Sequence, residues 1–447
     1  MNNVLIPRST NPQASTYVND RGVVGINNGV FHDSFNPGTL DDTIPITVPG
    51  HDPFGLHPNC PHLASMFNAG EASFVTNVGT LAYPTTPANY NSIGLPTQLF
   101  SHSDQVTEWM SSIADKPYTS GWGARVAELY HDTWNTLSNT SMLITAAGNN
   151  QFLNGGEIAP YTVTSTGAIS LTGFGTNYSS ALNPDGSYKT GSTANRLKAL
   201  ERIMGYSHAH LMEDGYATVI RRARETEAVI TEATTEAEDL GLNLDTIFTS
   251  FGAESGFANE LKSVAKLIAG RKCLGNNRQI FFVDLGGFDN HQDINEDLGE
   301  LLTDVDNALA AFNQAMKDLA AADPDFAYDK VTTFQASDFN RTWTPNSEDP
   351  DLAGTDHAWG SHSFVIGGAV DGGKFFGSYP ELAVGGLNDV PAGSRGRWIP
   401  TTAVDQFAAV LAEWFGVPAN SSEMAAIFPN LYRFEDPFGG SANLNFL

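Results

Sequence analysis

An α/β fold organised around a parallel strand-helix-strand unit is predicted by three observations. The run at 279–285, Gln-Ile-Phe-Phe-Val-Asp-Leu, is short, apolar and rich in Phe and β-branched residues, and it ends at the paired glycines Gly286 and Gly287. That is the pattern of a buried strand entering a tight turn. Apolar residues Ile294, Leu298, Leu301, Leu302, Val305, Leu309, Phe312, Met316 and Leu319 then hold helical spacing, which predicts a long crossover helix. Residues 330–337, Lys-Val-Thr-Thr-Phe-Gln-Ala-Ser, read as the next strand, so the unit should be parallel and right-handed. Ligands bind outside the carboxyl ends of such strands. The first strand delivers Asp289 and His291 there, and the second delivers Asp338, Asn340 and Arg341.

Bulk properties narrow the partners. A chain of 447 residues with 41% hydrophobic content can bury one large core, and a single α/β domain over 1–447 is expected. Fifty Asp and Glu against 23 Lys and Arg give a formal charge of -27, which argues against nucleic acid and anionic membrane surfaces as partners. A polyanionic substrate would need a local positive site, such as a metal ion. Cys60 and Cys273 are too few for a disulfide framework or a Cys-based zinc site, and composition leaves open whether they pair. No run approaches the roughly 18 apolar residues of a membrane span, and the opening Met-Asn-Asn-Val-Leu-Ile-Pro-Arg lacks the pattern of an export signal.

The remaining elements follow in order. Residues 1–60 read as irregular structure closing on Phe54-Gly55-Leu56-His57-Pro58, with a short helix at 63–68 and a strand at 73–78. A helix over 104–112 places Ser101 or Ser103 at its N-terminus. Free N–H groups there can hold an oxyanion and depress the pKa of a hydroxyl nucleophile; a plain serine cap is the competing role. Helical pattern at 120–129 and a buried strand at 141–148 come next. Residues 149–193, low in charge and rich in Gly, Asn, Ser and Thr, read as an insertion or small hairpin subdomain. Residues 195–237 form two helices carrying His208 and His210, whose spacing does not suit one metal. A helix at 256–269 leads into the first strand of the unit. Beyond it, short strands at 364–368 and 374–377 form a meander, and an amphipathic helix spans 402–415.

Three segments thus supply Asp289 with His291, Asp338, and Asp356 with His357. Mixed carboxylate and imidazole ligands suit Zn, Mn or Fe better than Ca or Mg. Such an ion polarises a phosphoryl or sulfuryl oxygen. Arg341 would grip the anion bidentately or pair with a neighbouring acid.

The blocks Gly-Gly-Phe-Asp-Asn-His at 286–291, Ser-Asp-Phe-Asn-Arg-Thr at 337–342 and Gly-Thr-Asp-His-Ala-Trp-Gly at 354–360 resemble signature blocks of the bacterial domain of unknown function 1501. Phe-Gly-Leu-His-Pro at 54–58, Phe-Ser-His-Ser-Asp-Gln at 100–105 and Gly-Arg-Trp-Ile-Pro-Thr-Thr at 396–402 extend the likeness over nearly the whole chain. The resemblance implies the alkaline phosphatase and sulfatase-like superfamily: a doubly wound, mostly parallel sheet with helices on both faces, one or two divalent metals, and a nucleophile at a helix start. Carried over, Asp289 and His291 resemble ligands of the first metal site, and His357 its final histidine, with Asp356 and His362 as helpers. Asp338 falls where an Asp-His pair is expected, but Phe339 replaces the histidine. Ser101 stands at the nucleophile position, with Ser103 the second choice.

Relatives carry twin-arginine export signals and a first apolar strand ending in Gly-Gly-x-Asp, and residues 2–7 resemble the segment after that motif. Asp33-Ser34-Phe35-Asn36 mimics it in letters, with no strand before it. The resemblance therefore implies a periplasmic or extracellular protein. Its expected activity is metal-dependent hydrolysis of a small-molecule or glycan phosphate or sulfate ester, with Zn or Mn. The alternative is a non-catalytic exported binding or assembly protein with a degenerate metal site and a protein partner.

Overall fold

The chain is described from a computed structural model at residues 2–26, 42–138, 140–165, 167–168, 178–183, 187–206, 211–391, 393–440 and 444–447. His208, His210 and the 33–36 segment lie outside the described residues. Strands in chain order are β1 (Leu5–Pro7), β2 (Ile44–Ile46), β3 (Phe54–Leu56), β4 (Ala72–Gly79), β5 (Leu143–Thr145) and β6 (Tyr161–Thr164). They continue with β7 (Gly167–Ala168), β8 (Ile280–Phe282), β9 (Thr332–Phe334), β10 (Ser361–Gly367), β11 (Phe375–Gly377) and β12 (Thr402–Ala403). Helices alternate with them, so the protein is mixed α/β with several sheets.

The central ladder is built on β4, whose eight residues are all buried. Such a strand must pair on both edges and pack on both faces. β10 runs antiparallel along one edge, with Phe364 opposite Phe74 and Val365 opposite Ser73. β11 and β12 pair in parallel on the other, with Phe375 opposite Phe74 and Thr402 opposite Val78. β9 continues the ladder antiparallel to β10. A second ladder holds β5 between β6 and β8, both parallel to it, with β7 antiparallel on β6. A third, small antiparallel sheet joins β1, β3 and β2 near the amino end.

The crossover helix spans Ile294–Ala322, as its spacing predicts. Two features depart from the expected sheet. First, β10 is antiparallel to both neighbours, because a long loop rather than a helical crossover brings the chain back from β9. Secondly, β8 and β9 belong to different ladders, and a cavity of about 1540 Å³ lies between them. The 149–193 segment also does more than form a hairpin, since β6 extends the β5 ladder.

Side-chain alternation along β4 sorts the core into two layers. Phe74 packs with Leu261, Val264, Leu309 and Phe312 from helices Gly256–Ala269 and Ile294–Ala322. Val75 faces the other way, and past the irregularity at Asn77, whose φ is +50°, Val78 joins it, with Trp122, Val126, Phe407 and Val410 from helices Trp122–Trp134 and Val404–Phe415. Cys60 and Cys273 are free, the first buried. Among the described residues no helix is long and apolar enough to cross a membrane.

Candidate metal centre

Three loops meet beyond β8 and β9, and backbone hydrogen bonds lock them together. After β8 the chain turns at Gly287, whose φ of +98° favours glycine. After β9, Asn340 N–H donates to Trp359 C=O at 3.1 Å, Ala358 N–H to Asn340 C=O at 2.8 Å, and Thr342 N–H to Asp356 C=O at 2.8 Å. Arg341 and His357 form an antiparallel bridge. The third tie is Thr355 N–H to Asn290 C=O at 3.0 Å. Gly354 makes that approach possible, because a Cβ there would stand 2.2 Å from the carbonyl carbon of His291 and 2.4 Å from Gln292 N.

The side chains carried by these loops converge on Asp289. His291 Nε2 lies 3.1 Å and His357 Nε2 3.3 Å from its Oδ1, and the two Nε2 atoms are 2.9 Å apart. His102, at the start of helix His102–Ser111, brings Nε2 to 3.2 Å from Asp289 Oδ2 and Nδ1 to 2.5 Å from Asp338 Oδ2. Ligand atoms of His102, Asp289 and His357 all lie within 4.8 Å of one another. Outer contacts fix the rings: His357 Nδ1 is 2.7 Å from Phe100 O, His291 Nδ1 is 3.2 Å from Asp356 Oδ1, and Asn346 Nδ2 donates to His291 O at 2.7 Å. Phe339 packs against His102 and His357, each at 4.6 Å between ring centroids.

Electrostatics favour charge at the centre. Partial burial pushes the Asp289 carboxyl up, but the Arg341 guanidinium beside it, with His291 and His102, holds it below the usual carboxylate range. Burial likewise pushes Asp356 up, but Arg395, with Asn346 and His291, holds it below the usual carboxylate range. Burial pushes Arg341 down, against the pull of Asp289.

The donor set fits a divalent ion. A tetrahedral zinc holds imidazole nitrogens at about 2.0–2.1 Å, which separates two of them by roughly 3.3–3.4 Å. The two Nε2 atoms facing each other at 2.9 Å are close to that and need a shared proton or a cation between them. His102 Nε2 is buried without an aligned hydrogen-bond partner, a second donor atom aimed at the same carboxylate.

Of the residues predicted from sequence, Asp289, His291, Asp338, Asp356, His357 and Arg341 come together. Arg341, read as gripping an anion or pairing with a neighbouring acid, contacts Asp289 and the Thr355 carbonyl. His362 does not join them. It is buried inside β10, accepts from Asn77 N–H at 3.2 Å and stacks on Tyr379, and burial pushes its pKa down to about 3. Ser101 caps the helix but hydrogen-bonds Asp104 at 2.7 Å, and Ser103 makes a longer contact to the same carboxylate. His102 was passed over between two serines, although a histidine at a helix start beside an acid-rich strand end is a legible signal. Arg395 and Arg397 were also missed, despite their glycine-flanked setting at 393–397. Arg397 donates Nε to His357 O at 3.0 Å and lies over the Phe100 ring.

Fold and cluster define a mixed α/β protein with a histidine-carboxylate centre at its strand ends. A family described as "Protein of unknown function (DUF1501)" matches residues 42–390, and the chain belongs to that family. No curated protein and no solved structure matches it.

Proposed function

We propose that the chain is a metal-dependent hydrolase of phosphate or sulfate esters, on the alkaline phosphatase and sulfatase-like plan. The observation that carries this reading is the convergence of His102, Asp289 and His357, with His291 and Asp338 adjoining, at the carboxyl ends of two strands. A divalent ion of the Zn or Mn kind, held there, supplies Lewis acidity toward a phosphoryl or sulfuryl oxygen. Ser101 is the nucleophile of this scheme, with Asp104 placed at 2.7 Å to accept its proton. Arg397 uses only Nε on a carbonyl among its described contacts, so its Nη groups are the anion donors best placed beside His357 and Phe100. Phe339 packs against the His102 and His357 rings, while Asp289 and His291 stay open to solvent. The family likeness further supports an exported, periplasmic or extracellular protein acting on a small-molecule or glycan ester.

A second reading, an exported binding or assembly protein that does no chemistry, draws on Phe339. Its ring lies against two of the three cluster imidazole rings, where the superfamily likeness calls for another histidine. Metal content after exposure to Zn or Mn and dialysis separates the two, measured for the full chain and for His102→Ala with His357→Ala. The hydrolase predicts about one ion or more per chain, none in the double variant, and turnover of aryl phosphate or aryl sulfate. A chain that binds no ion sinks the metal reading, and one that binds an ion but turns over neither ester supports the second.

A further inference from the structure

Arg341, Arg395 and Arg397 stand around the metal centre, and two of them are engaged. Arg341 pairs with Asp289 and Arg395 with Asp356, so each of those guanidiniums already faces a carboxylate. Arg397 differs. Its Nε donates to His357 O at 3.0 Å and its guanidinium lies 4.8 Å from the Phe100 ring centroid, which leaves the Nη fork without a carboxylate partner among the described residues. The loop that carries it is pinned from beneath, where buried Asp389 accepts from the N–H groups of Gly385, Gly396 and Arg397 at 2.9, 3.1 and 2.8 Å. Tyr90 stands beside this fork. It packs with Phe100 on the cluster of Trp359 and Ile399, and the charge of Arg397 opposes the rise that burial imposes on its hydroxyl. That hydroxyl is a neutral donor and makes no hydrogen bond among the described contacts.

Charges around the centre nearly cancel. The carboxylates of Asp104, Asp289, Asp338 and Asp356 stand against the three guanidiniums, and a divalent ion with neutral imidazole ligands would bring the balance to a single positive charge. Beyond the centre the chain carries a formal charge of -27, which repels every further negative charge. We propose, resting on the hydrolase reading, that the site takes a singly charged ester, a sulfate monoester or a phosphate diester, ahead of the doubly charged phosphate monoester. Arg397 and Tyr90 contact the anion. A phosphate monoester carries close to two charges at neutral pH, and its second charge would meet Asp104, 2.7 Å from Ser101, and not another free cation. Arg397 supplies a fork of two N–H donors and Tyr90 a third donor that is uncharged. One free cation answers one negative charge.

Calorimetric titration of the full chain, supplied with Zn or Mn, tests this with methyl sulfate, dimethyl phosphate and methyl phosphate at about pH 8, where only methyl phosphate is doubly charged. The two singly charged probes should bind about tenfold or more tighter than methyl phosphate, and the tighter of the two names the ester class. Arg397→Gln should weaken both by about tenfold, and Tyr90→Phe by about threefold. Tyr90→Lys adds a second cation and should bring methyl phosphate close to the other two. The order of affinities in the unaltered chain decides even where a variant does not fold. Methyl phosphate binding as tightly as the singly charged probes overturns the proposal. So does a chain that binds none of them, or unchanged binding in Arg397→Gln or Tyr90→Phe. Turnover of aryl esters, run alongside, separates this outcome from failure of the hydrolase reading. Preference for methyl phosphate with turnover of aryl phosphate sinks the charge selection alone, whereas singly charged probes held at Arg397 without turnover of any ester sink the hydrolase and keep the anion seat.

Discussion

β4 with β10, and β8 with β9 across the cavity, are both Phe-bearing sets of strands, yet one set is sealed and the other is half-exposed. Every residue of β4 and β10 is buried, whereas all six residues of β8 and β9 keep partial solvent contact. Composition does not separate them: Phe74 and Phe281 sit in similar runs. What differs is the number of paired edges, which depends on chain segments far away in sequence.

The largest test of this contrast is Phe74→Ala against Phe281→Ala. Phe74 is fully buried, and its truncation should cost about 3–5 kcal/mol. Phe281 already borders open space, and its loss should cost about 1–2 kcal/mol. Denaturant unfolding of both variants reads the difference, and equal costs would break the comparison.

Next in size is Gly354→Ala. Its new methyl must push on the His291 backbone, so a loss of about 1–3 kcal/mol is expected, together with weakened metal retention. An equivalent alanine at the exposed, open Gly256 should leave metal content unchanged.

The sealed half should also carry the pH sensitivity. Glu108, against Gln105 at the end of β4, is pushed by burial up to about 8 from an ordinary 4.5. The folded chain thus keeps a proton that the unfolded chain releases. The contribution of Glu108 to stability is greatest below about pH 4.5, falls as pH rises through the window up to 8, and is flat beyond it. Glu108→Gln should flatten that slope by about 1–2 kcal/mol, while buried Asp405, pushed up to about 7, keeps part of it. Thermal midpoints across pH 4 to 9 measure the effect, and an unchanged slope would move the sensitivity elsewhere.

Local pattern made much of this legible. The spacing from Ile294 to Leu319 marked the crossover helix, and the glycine pair after an apolar run marked the turn that presents Asp289 and His291. The direction of β10 was not legible, because it depends on how a long loop folds back and not on the run from 361 to 367 itself. His362 misled for the same reason: proximity in sequence to His357 does not survive the strand alternation that turns it into the core. His102 was legible as a histidine at a helix start, but its aim at Asp289 and Asp338 depends on the rotation of that helix, which composition does not give.

The bridge between Arg341 and His357 has a practical consequence for how the protein withstands nicking. Between its ends the chain makes an excursion whose tip, with exposed Asp349, Asp351 and Leu352, is open to a protease. A cut there severs the covalent path from Asp338 to His357. The pairings at 340–342 with 356–359, extended by Asn346 N–H to Gly354 C=O at 3.0 Å, still clamp both stumps. Clipped protein should therefore run as two fragments on a denaturing gel and as one particle in native mass measurement, with its histidines still in register.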